Sequence, residues 1–452
     1  MRAPHLLVGN IFFAPHTYGG ATIVAEEVAR HLARDHGWQV SAVSAVSRAD
    51  LPPYALRKVQ AGPVPNYLIN LPPGRGYAAQ YTNPQVTEVV SRLLDSLAPD
   101  LLHLHCLQEM GSGLIHAGRE AGVPVVVSVH DFWWLCERQF MVRPDGRYCG
   151  QAPVRIEGCR GCVLDHDRAR SRARHLARAL AEADLVTYPS AFARDLSRAS
   201  GLTGAPDAIW QNGVTLPGPG FAAAQARRRA RDPRLTFAFC GGPSQLKGWP
   251  LIRDALAGLG REDFRLMLVD GALEGSWWDG VALDALPGAC QVVPRYDQAG
   301  MDAFWAEVDV LLFPSQWKET FGLTLREALA RGVRVIQTDS GGTVEHAGPD
   351  RGRMLPLGAG PEALRREIRH ALDRADRHGA PVPVTGFAEQ AQAFVALTAP
   401  LIEPRGAWPQ PQPAQHDAPA PHIAPAPQDA ALAPEESTEE GAPAAARPAR
   451  RA

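Results

Sequence analysis

Nine short apolar runs recur through the first 340 residues: "HLLVGNIFF", "WQVSAV", "DLLHLHC", "PVVVSVH", "RLTFAFCGG", "FRLMLVDG", "CQVVPRY", "VDVLLFPS" and "VRVIQTD". Helix-like segments separate most of them. In "GATIVAEEVARHLARDHG", Val24, Val28 and Leu32 fall at i, i+4 and i+8 on one face, and Gly37 supplies a stop. A strand that is apolar on both sides must be covered on both sides, so this alternation predicts parallel sheets sandwiched between helices. The pattern runs to about residue 210 and restarts near residue 234. The join, "NGVTLPGPGFAAAQARRRARDPR" (212–234), holds Gly, Pro and then an Arg-rich helical patch. The expected organisation is a first Rossmann-like domain over 1–215, with a Cys-rich insertion at 136–166. A second follows over 216–385, and then an amphipathic helix over 386–402. From Glu403 onward the segment holds 11 prolines, with Ile423 and Leu432 as its only Leu, Ile, Val or Phe. It buries too little apolar surface to offset its ordering entropy, so 403–452 reads as a disordered Pro/Ala-rich tail.

Composition excludes several classes. Lys and Arg number 46 against 48 Asp and Glu, which gives no overall argument for nucleic acid. No apolar run approaches the roughly 20 residues of a membrane span. Asn10 interrupts the first apolar run, and no small-residue cleavage site follows, so no signal peptide is read. Seven cysteines, an odd number, without an export signal argue against a disulfide framework and for a cytoplasmic setting.

In open parallel sheets ligands bind beyond the carboxyl ends of the strands. The loops there carry the chemistry. "SQWKETFGLTLREALARG" (315–332) follows one strand and starts a helix that ends at Gly332. The free N–H groups of Gly322, Leu323 and Thr324 suit a phosphate. Glu319 and Glu327 flank them, and each carboxylate suits vicinal hydroxyls. Thr324-Leu-Arg-Glu327 also reads as a capping box, which needs no ligand. Gly19 and Gly20 precede the first helix and allow close approach to an anion. The GxGxxG spacing of a nicotinamide dinucleotide site is missing. His130 and Asp131 end a strand. His103 reads as core, and His105 lies nearer the strand end. Lys247, in "CGGPSQLKGW", offers a cation, and "SGGTVE" makes a further tight turn into a helix starting near Glu345.

These residues together resemble glycosyltransferase family 4, from about residue 5 to about 400. The most specific element is Glu319-x7-Glu327, supported by "VHD" (129–131), "QNGV" (211–214), "KGW" (247–249) and "GGTVE" (341–345). The resemblance implies the α/β GT-B fold, two doubly wound domains with a cleft between them. It implies a retaining transferase moving a sugar from a nucleoside diphosphate to an acceptor hydroxyl, with no metal required for catalysis. Glu319 resembles the residue on the transferred sugar, and Glu327 the one on the ribose. Phe321, Gly322, Leu323 and Thr324 resemble the backbone cradle for sugar and phosphate oxygens. Lys247 resembles the diphosphate cation, Gly20 the glycine approaching it, and His130 the histidine by the sugar's outer hydroxyls. Where the family often has Arg as a second cation, this chain has Gly242. Either Arg295 fills in or leaving-group stabilisation is weaker. That departure keeps a second reading open, a catalytically weak sugar-nucleotide-binding scaffold.

Cys136, Cys149, Cys159 and Cys162 follow the spacing C-x12-C-x9-C-x2-C. Four thiolates suit a structural zinc site, with an iron–sulfur centre a lesser alternative, while four unrelated thiols are the plain reading. Asp165-His-Asp167, the chain's Asp-x-Asp, reads as surface. Arg170, Arg174 and Arg178 share a helical face, either solvated or turned toward anionic lipid or a lipid-linked acceptor. The expected partners are the nucleoside diphosphate sugar, a carbohydrate or lipid-linked acceptor and, peripherally, the inner face of the membrane. No nucleic acid is expected.

Overall fold

The structure is a computed structural model that describes residues 2–272, 274–348, 353–374 and 379–402. The tail read at 403–452 lies outside the described residues. The apolar runs form two sheets. The first contains β1 (His5–Gly9), β2 (Gln39–Val46), β3 (Leu56–Ala61), β4 (Val64–Asn70), β5 (Leu101–Leu104), β6 (Val125–Ser128), β7 (Leu185–Tyr188) and β8 (Asp207–Ile209). Their order is β3-β4-β2-β1-β5-β6-β7-β8. All neighbours are parallel except the β3–β4 hairpin. The second sheet is wholly parallel: β9 (Leu235–Phe239), β10 (Phe264–Asp270), β11 (Ala289–Pro294), β12 (Val310–Phe313) and β13 (Arg334–Gln337), in the order β11-β10-β9-β12-β13. Strand order reverses between β1 and β5 and between β9 and β12, so each sheet has a crevice at its switch point.

Each sheet is covered on both faces, as runs such as Val125-Val126-Val127 require. Leu7, Leu102 and Val127 face one core of the first domain, and Leu6, Leu101 and Val126 face the other. The helix Gly20–Asp35 buries Val24, Val28 and Leu32, the predicted stripe. In the second domain Phe237 and Leu266 face one core, and Ala238 and Met267 the other.

The Arg-rich patch at the join is not a solvated boundary. The helix Phe221–Arg231 buries Arg228, whose Nη1 donates to Asp309 Oδ2 at 2.7 Å, while Arg229 Nε donates to Oδ1 at 2.9 Å. The backbone N–H of Thr236 also donates to Asp309, at 2.9 Å. A carboxylate with no exposure is thereby fully engaged, and it ties this helix to the start of β9 and β12.

The final helix, Phe387–Ile402, returns to the first domain. It packs along Gly20–Asp35. Its Phe394 lies among Trp38, His103 and Trp210, and Gln390 accepts from Trp210 Nε1 (3.0 Å) and from the N–H of Gly213 (2.6 Å). No helix of the described residues is long and apolar enough to cross a membrane.

Candidate functional site

The loop after β12 crosses the switch point of the second sheet. Its backbone is pinned where Glu319 pairs with Gly341, through Glu319 N–H to Ser340 O (3.1 Å) and Gly342 N–H to Glu319 O (2.8 Å). The Glu319 side chain is buried, and its Oε1 accepts three bonds: from Lys247 Nζ (2.8 Å), Ser315 Oγ (2.5 Å) and Trp317 Nε1 (3.1 Å). Lys247, from the loop after β9, therefore meets the carboxylate from the loop after β12. The ammonium also sits 5.5 Å from the centre of the Trp317 ring, a cation–π position. A small pocket beside the pair is lined by Cys240, Gly241, Ser315 and Thr324.

The helix Leu323–Ala330 begins two residues before the capping box requires. Its N-cap is Gly322, at φ 85° and ψ 73°, with no side-chain cap bond. That left-handed conformation favours glycine, and Thr324 lies inside the helix. The capping-box reading of Glu327 is thereby overturned. Its carboxylate instead accepts from the Tyr296 hydroxyl at 3.1 Å and is buried. Burial raises its pKa to about 7, opposed by the Tyr296 hydrogen bond and the Arg331 charge. The first N–H groups of this helix have no partner within it, which leaves them available to an anion.

The first domain supplies the opposite wall. Gly20 meets the second domain at Leu323: a Cβ on Gly20 would lie 2.8 Å from Leu323 Cδ1. Gly19 is the residue before that helix. His130 is stacked on His105, with Nε2 and Nδ1 2.8 Å apart. Burial lowers the His130 pKa to about 4 and that of His105 well below its ordinary value, so both rings are neutral at pH 7. Asp131 is engaged by neighbouring first-domain groups. It accepts from Gln139 Nε2 (2.6 Å), Gln108 Nε2 (3.0 Å) and the Trp133 N–H (2.8 Å), which fixes the start of the Cys-rich insertion.

Three contacts hold the domains together at the loop bearing Glu319. Thr320 Oγ1 donates to the His130 carbonyl (2.6 Å), and Ser190 Oγ donates to the Thr320 carbonyl (2.6 Å). Glu345 accepts from the N–H groups of Ala191 (2.9 Å) and Phe192 (2.7 Å), so a second-domain carboxylate caps the first-domain helix Ala191–Ala199. The "GGTVE" segment thus makes a one-turn 3-10 helix, Gly342–Val344, and ends at the domain contact; no helix starts at Glu345. Glu345→Ala removes two charge-assisted bonds, each worth about 1.5–3 kcal/mol. The expected result is a fall in kcat/KM of about tenfold and a larger radius of gyration in solution scattering. An unchanged radius with full activity would dismiss the latch.

Other expected residues stand apart. Arg295 is exposed beyond β11 and makes no hydrogen bond or ion pair among the described residues. Its neighbour Tyr296 reaches the site instead. The four insertion cysteines are free thiols, all partly buried. Burial pushes Cys136 up to about 11, and Cys149 and Cys159 add charge effects that mark them as neighbours. Among the described residues no group of three or more His, Cys, Asp or Glu side chains is arranged to hold a metal. The insertion leans on the other domain: its Phe140, with Phe132 just before the insertion, packs edge-on against Trp317. Asp165 caps the helix His166–Ala181 by accepting from the Arg168 N–H at 3.0 Å, consistent with a surface role. Arg174 and Arg178 are exposed on that helix.

Two parallel-sheet domains, with cation, carboxylates and helix start gathered at the cleft, define a glycosyltransferase of the GT-B type. The family model described as Glycosyltransferase Family 4 matches residues 18–217, and the one described as Glycosyl transferases group 1 matches residues 234–374; the chain belongs to these glycosyltransferases. A GDP-mannose-dependent alpha-mannosyltransferase of Mycolicibacterium smegmatis is 27% identical over 292 residues, 64% of this chain and 68% of that protein. Among solved structures, a sucrose-phosphate synthase from Thermosynechococcus elongatus has a TM-score of 0.58 at 16% identity, covering 89% of this chain and 96% of that one. HepE from Anabaena, in complex with UDP and glucose, has a TM-score of 0.54 at 17% identity, covering 87% of this chain and 94% of that one. Both show the shared fold.

Proposed function

We propose that the protein is a retaining hexosyltransferase that moves a sugar from a nucleoside diphosphate to an acceptor hydroxyl, without a catalytic metal. The convergence of Lys247, Ser315 and Trp317 on one oxygen of Glu319, at the switch point of the second sheet, carries this reading. Lys247 takes the diphosphate and stabilises the charge that grows on the departing phosphate oxygen. The N–H groups at the start of Leu323–Ala330 hold phosphate and sugar oxygens, Glu319 orients the transferred sugar, and Glu327 binds the ribose hydroxyls. The neutral His130 ring faces the sugar's outer hydroxyls. The acceptor hydroxyl attacks from the leaving group's own face and passes its proton to the departing phosphate.

The mannosyltransferase relatives make a GDP-hexose the first donor to test. A carbohydrate or lipid-linked acceptor, a cytoplasmic setting with peripheral contact at the inner membrane face, and a role in surface glycoconjugate synthesis complete the proposal. Thermal stabilisation by GDP-, UDP- and ADP-sugars is the direct measurement, since a bound ligand raises apparent stability by mass action. Binding with slow metal-free sugar release supports the enzyme. Binding without any release supports the scaffold reading that Gly242 favours. Absence of binding at millimolar donor sinks both.

Glu327 provides a pH test. Its folded pKa stands at about 7 against an ordinary 4.5. Between those values the folded chain keeps a proton that the unfolded chain has lost, so stability from this group falls as pH rises. Hydroxyl donors favour the ionised form. Nucleotide affinity should therefore rise with pH by up to tenfold per unit below pH 7 and level off above it. Calorimetry in buffers of different ionisation enthalpy should show close to one proton released at pH 6. A flat profile would remove Glu327 from the nucleotide site.

A further inference from the structure

The turns after β9 and β10 are both built of glycine at one place, and the same side chain explains both. A Cβ on Gly242, which sits at φ 59°, would lie 2.7 Å from Trp277 Cε3; a Cβ on Gly271 would lie 2.2 Å from Trp277 Cη2. The benzene edge of the indole rests across two strand-end turns that any larger residue would obstruct. Its backbone is fixed as well. The Trp277 N–H donates to Asp270 Oδ1 at 3.2 Å, and the next residue, Trp278, is buried with its Nε1 donating to Val269 O at 3.1 Å. A ring seated this firmly is nevertheless 40% exposed. A rigid, exposed aromatic on a ligand-binding rim is a stacking surface.

Strand order says what it stacks on. Across the rim, Glu319 follows β12, Lys247 follows β9, and Trp277 follows β10. Cys240, just past the end of β9, has its thiol influenced by both Glu327 and Tyr296. With the sugar at Glu319, the diphosphate at Lys247 and the ribose at Glu327, the remaining end of the donor, its base, falls toward β10. We propose that Trp277 is the stacking plane for the donor's nucleobase, with purines held better than pyrimidines because they present more ring area. This rests on the donor reading above. It also gives Gly242 a role: the position lacks the family's frequent arginine because an indole needs its space.

The test uses the full chain with GDP, UDP and inorganic pyrophosphate as probes, in calorimetry on the natural protein, Trp277→Ala and Trp277→Phe. Stacking on one base predicts a loss of about tenfold for GDP in Trp277→Ala, a smaller loss for UDP and none for pyrophosphate. Trp277→Phe should recover most of the GDP affinity. GDP should also quench indole emission in the natural protein and lose most of that quench in Trp277→Phe. Unchanged GDP affinity in Trp277→Ala overturns the proposal. So does an equal loss for pyrophosphate, which would signal a damaged phosphate site. If pyrophosphate and both nucleotides fail to bind even the natural protein, the donor reading itself falls and this assignment falls with it.

Discussion

Replacing Glu319 by Gln is expected to lower turnover about a thousandfold, while affinity for a nucleoside diphosphate stays level or tightens. The asymmetry follows from Oε1, which takes bonds from Lys247, Ser315 and Trp317 at once. An amide oxygen can occupy the same place with little change of shape, but it carries no charge to orient a developing cationic sugar or to balance the ammonium. Loss of one preorganised electrostatic contact typically costs 10²–10³ in turnover, about 2.7–4 kcal/mol, and the loosened Lys247 and Trp317 add to it. Before donor arrives, Lys247 is already neutralised by Glu319, so a diphosphate must compete with the carboxylate for it. In Glu319→Gln that competition is gone. Pre-steady-state sugar release and equilibrium GDP binding, measured on one preparation, separate the two effects. Parallel losses of turnover, binding and melting temperature would instead assign Glu319 a purely structural role.

The second large effect is expected at Lys247. Lys247→Met keeps much of the aliphatic stem and removes the charge. With Gly242 where the resemblance leads one to expect arginine, Lys247 is the one cation bonded to Glu319 among the described residues. The loss in kcat/KM should reach 10²–10³. Affinity for GDP should fall as well, and for unmodified guanosine hardly at all, since guanosine carries no diphosphate. A comparable loss for guanosine would show that the substitution had disturbed the fold. Lys247→Arg should recover only part of the rate. A guanidinium is planar and forked, and the ammonium's place is shaped by Glu319 and the Trp317 ring.

Local features of these loops were readable from residue order, and partnerships across the cleft were not. β1, β5, β6, β9 and β12 are apolar runs bounded by polar or Gly-rich turns, so periodicity alone marks them. The hairpin β3–β4 escapes that rule. Arg57 and Lys58 on its outer strand and Pro65 on its inner one look like loop chemistry, although an edge strand tolerates them. Glu319, Glu327 and Lys247 stand at strand ends and were visible by position. Tyr296, Ser190 and Glu345 gain meaning only through partners far along the chain; Glu345 accepts from two N–H groups 153 and 154 residues away. The capping box failed for a conformational reason, because Gly322 adopts a left-handed turn that starts the helix earlier than the side-chain pattern suggests. Trp277 carries no motif at all; two glycines in the turns after separate strands make room for it.

The return of Phe387–Ile402 to the first domain sets the order in which the protein can be completed as it is made. The apolar face formed by Trp38, His103 and Trp210 emerges with the first sheet, yet its cover, Phe394, is synthesised only after the whole second sheet. About 180 residues separate the end of β8 from Phe387. At roughly 5–20 residues per second, this face waits on the order of ten to thirty-five seconds without its lid, while the second sheet assembles in the interval. In chain order the second domain is thus inserted between the first sheet and its covering helix, so the first domain must wait for the chain to come back to it. A chain ending before residue 387 should therefore leave this face of the first domain uncovered, and that domain should melt at a lower temperature than it does in the full chain.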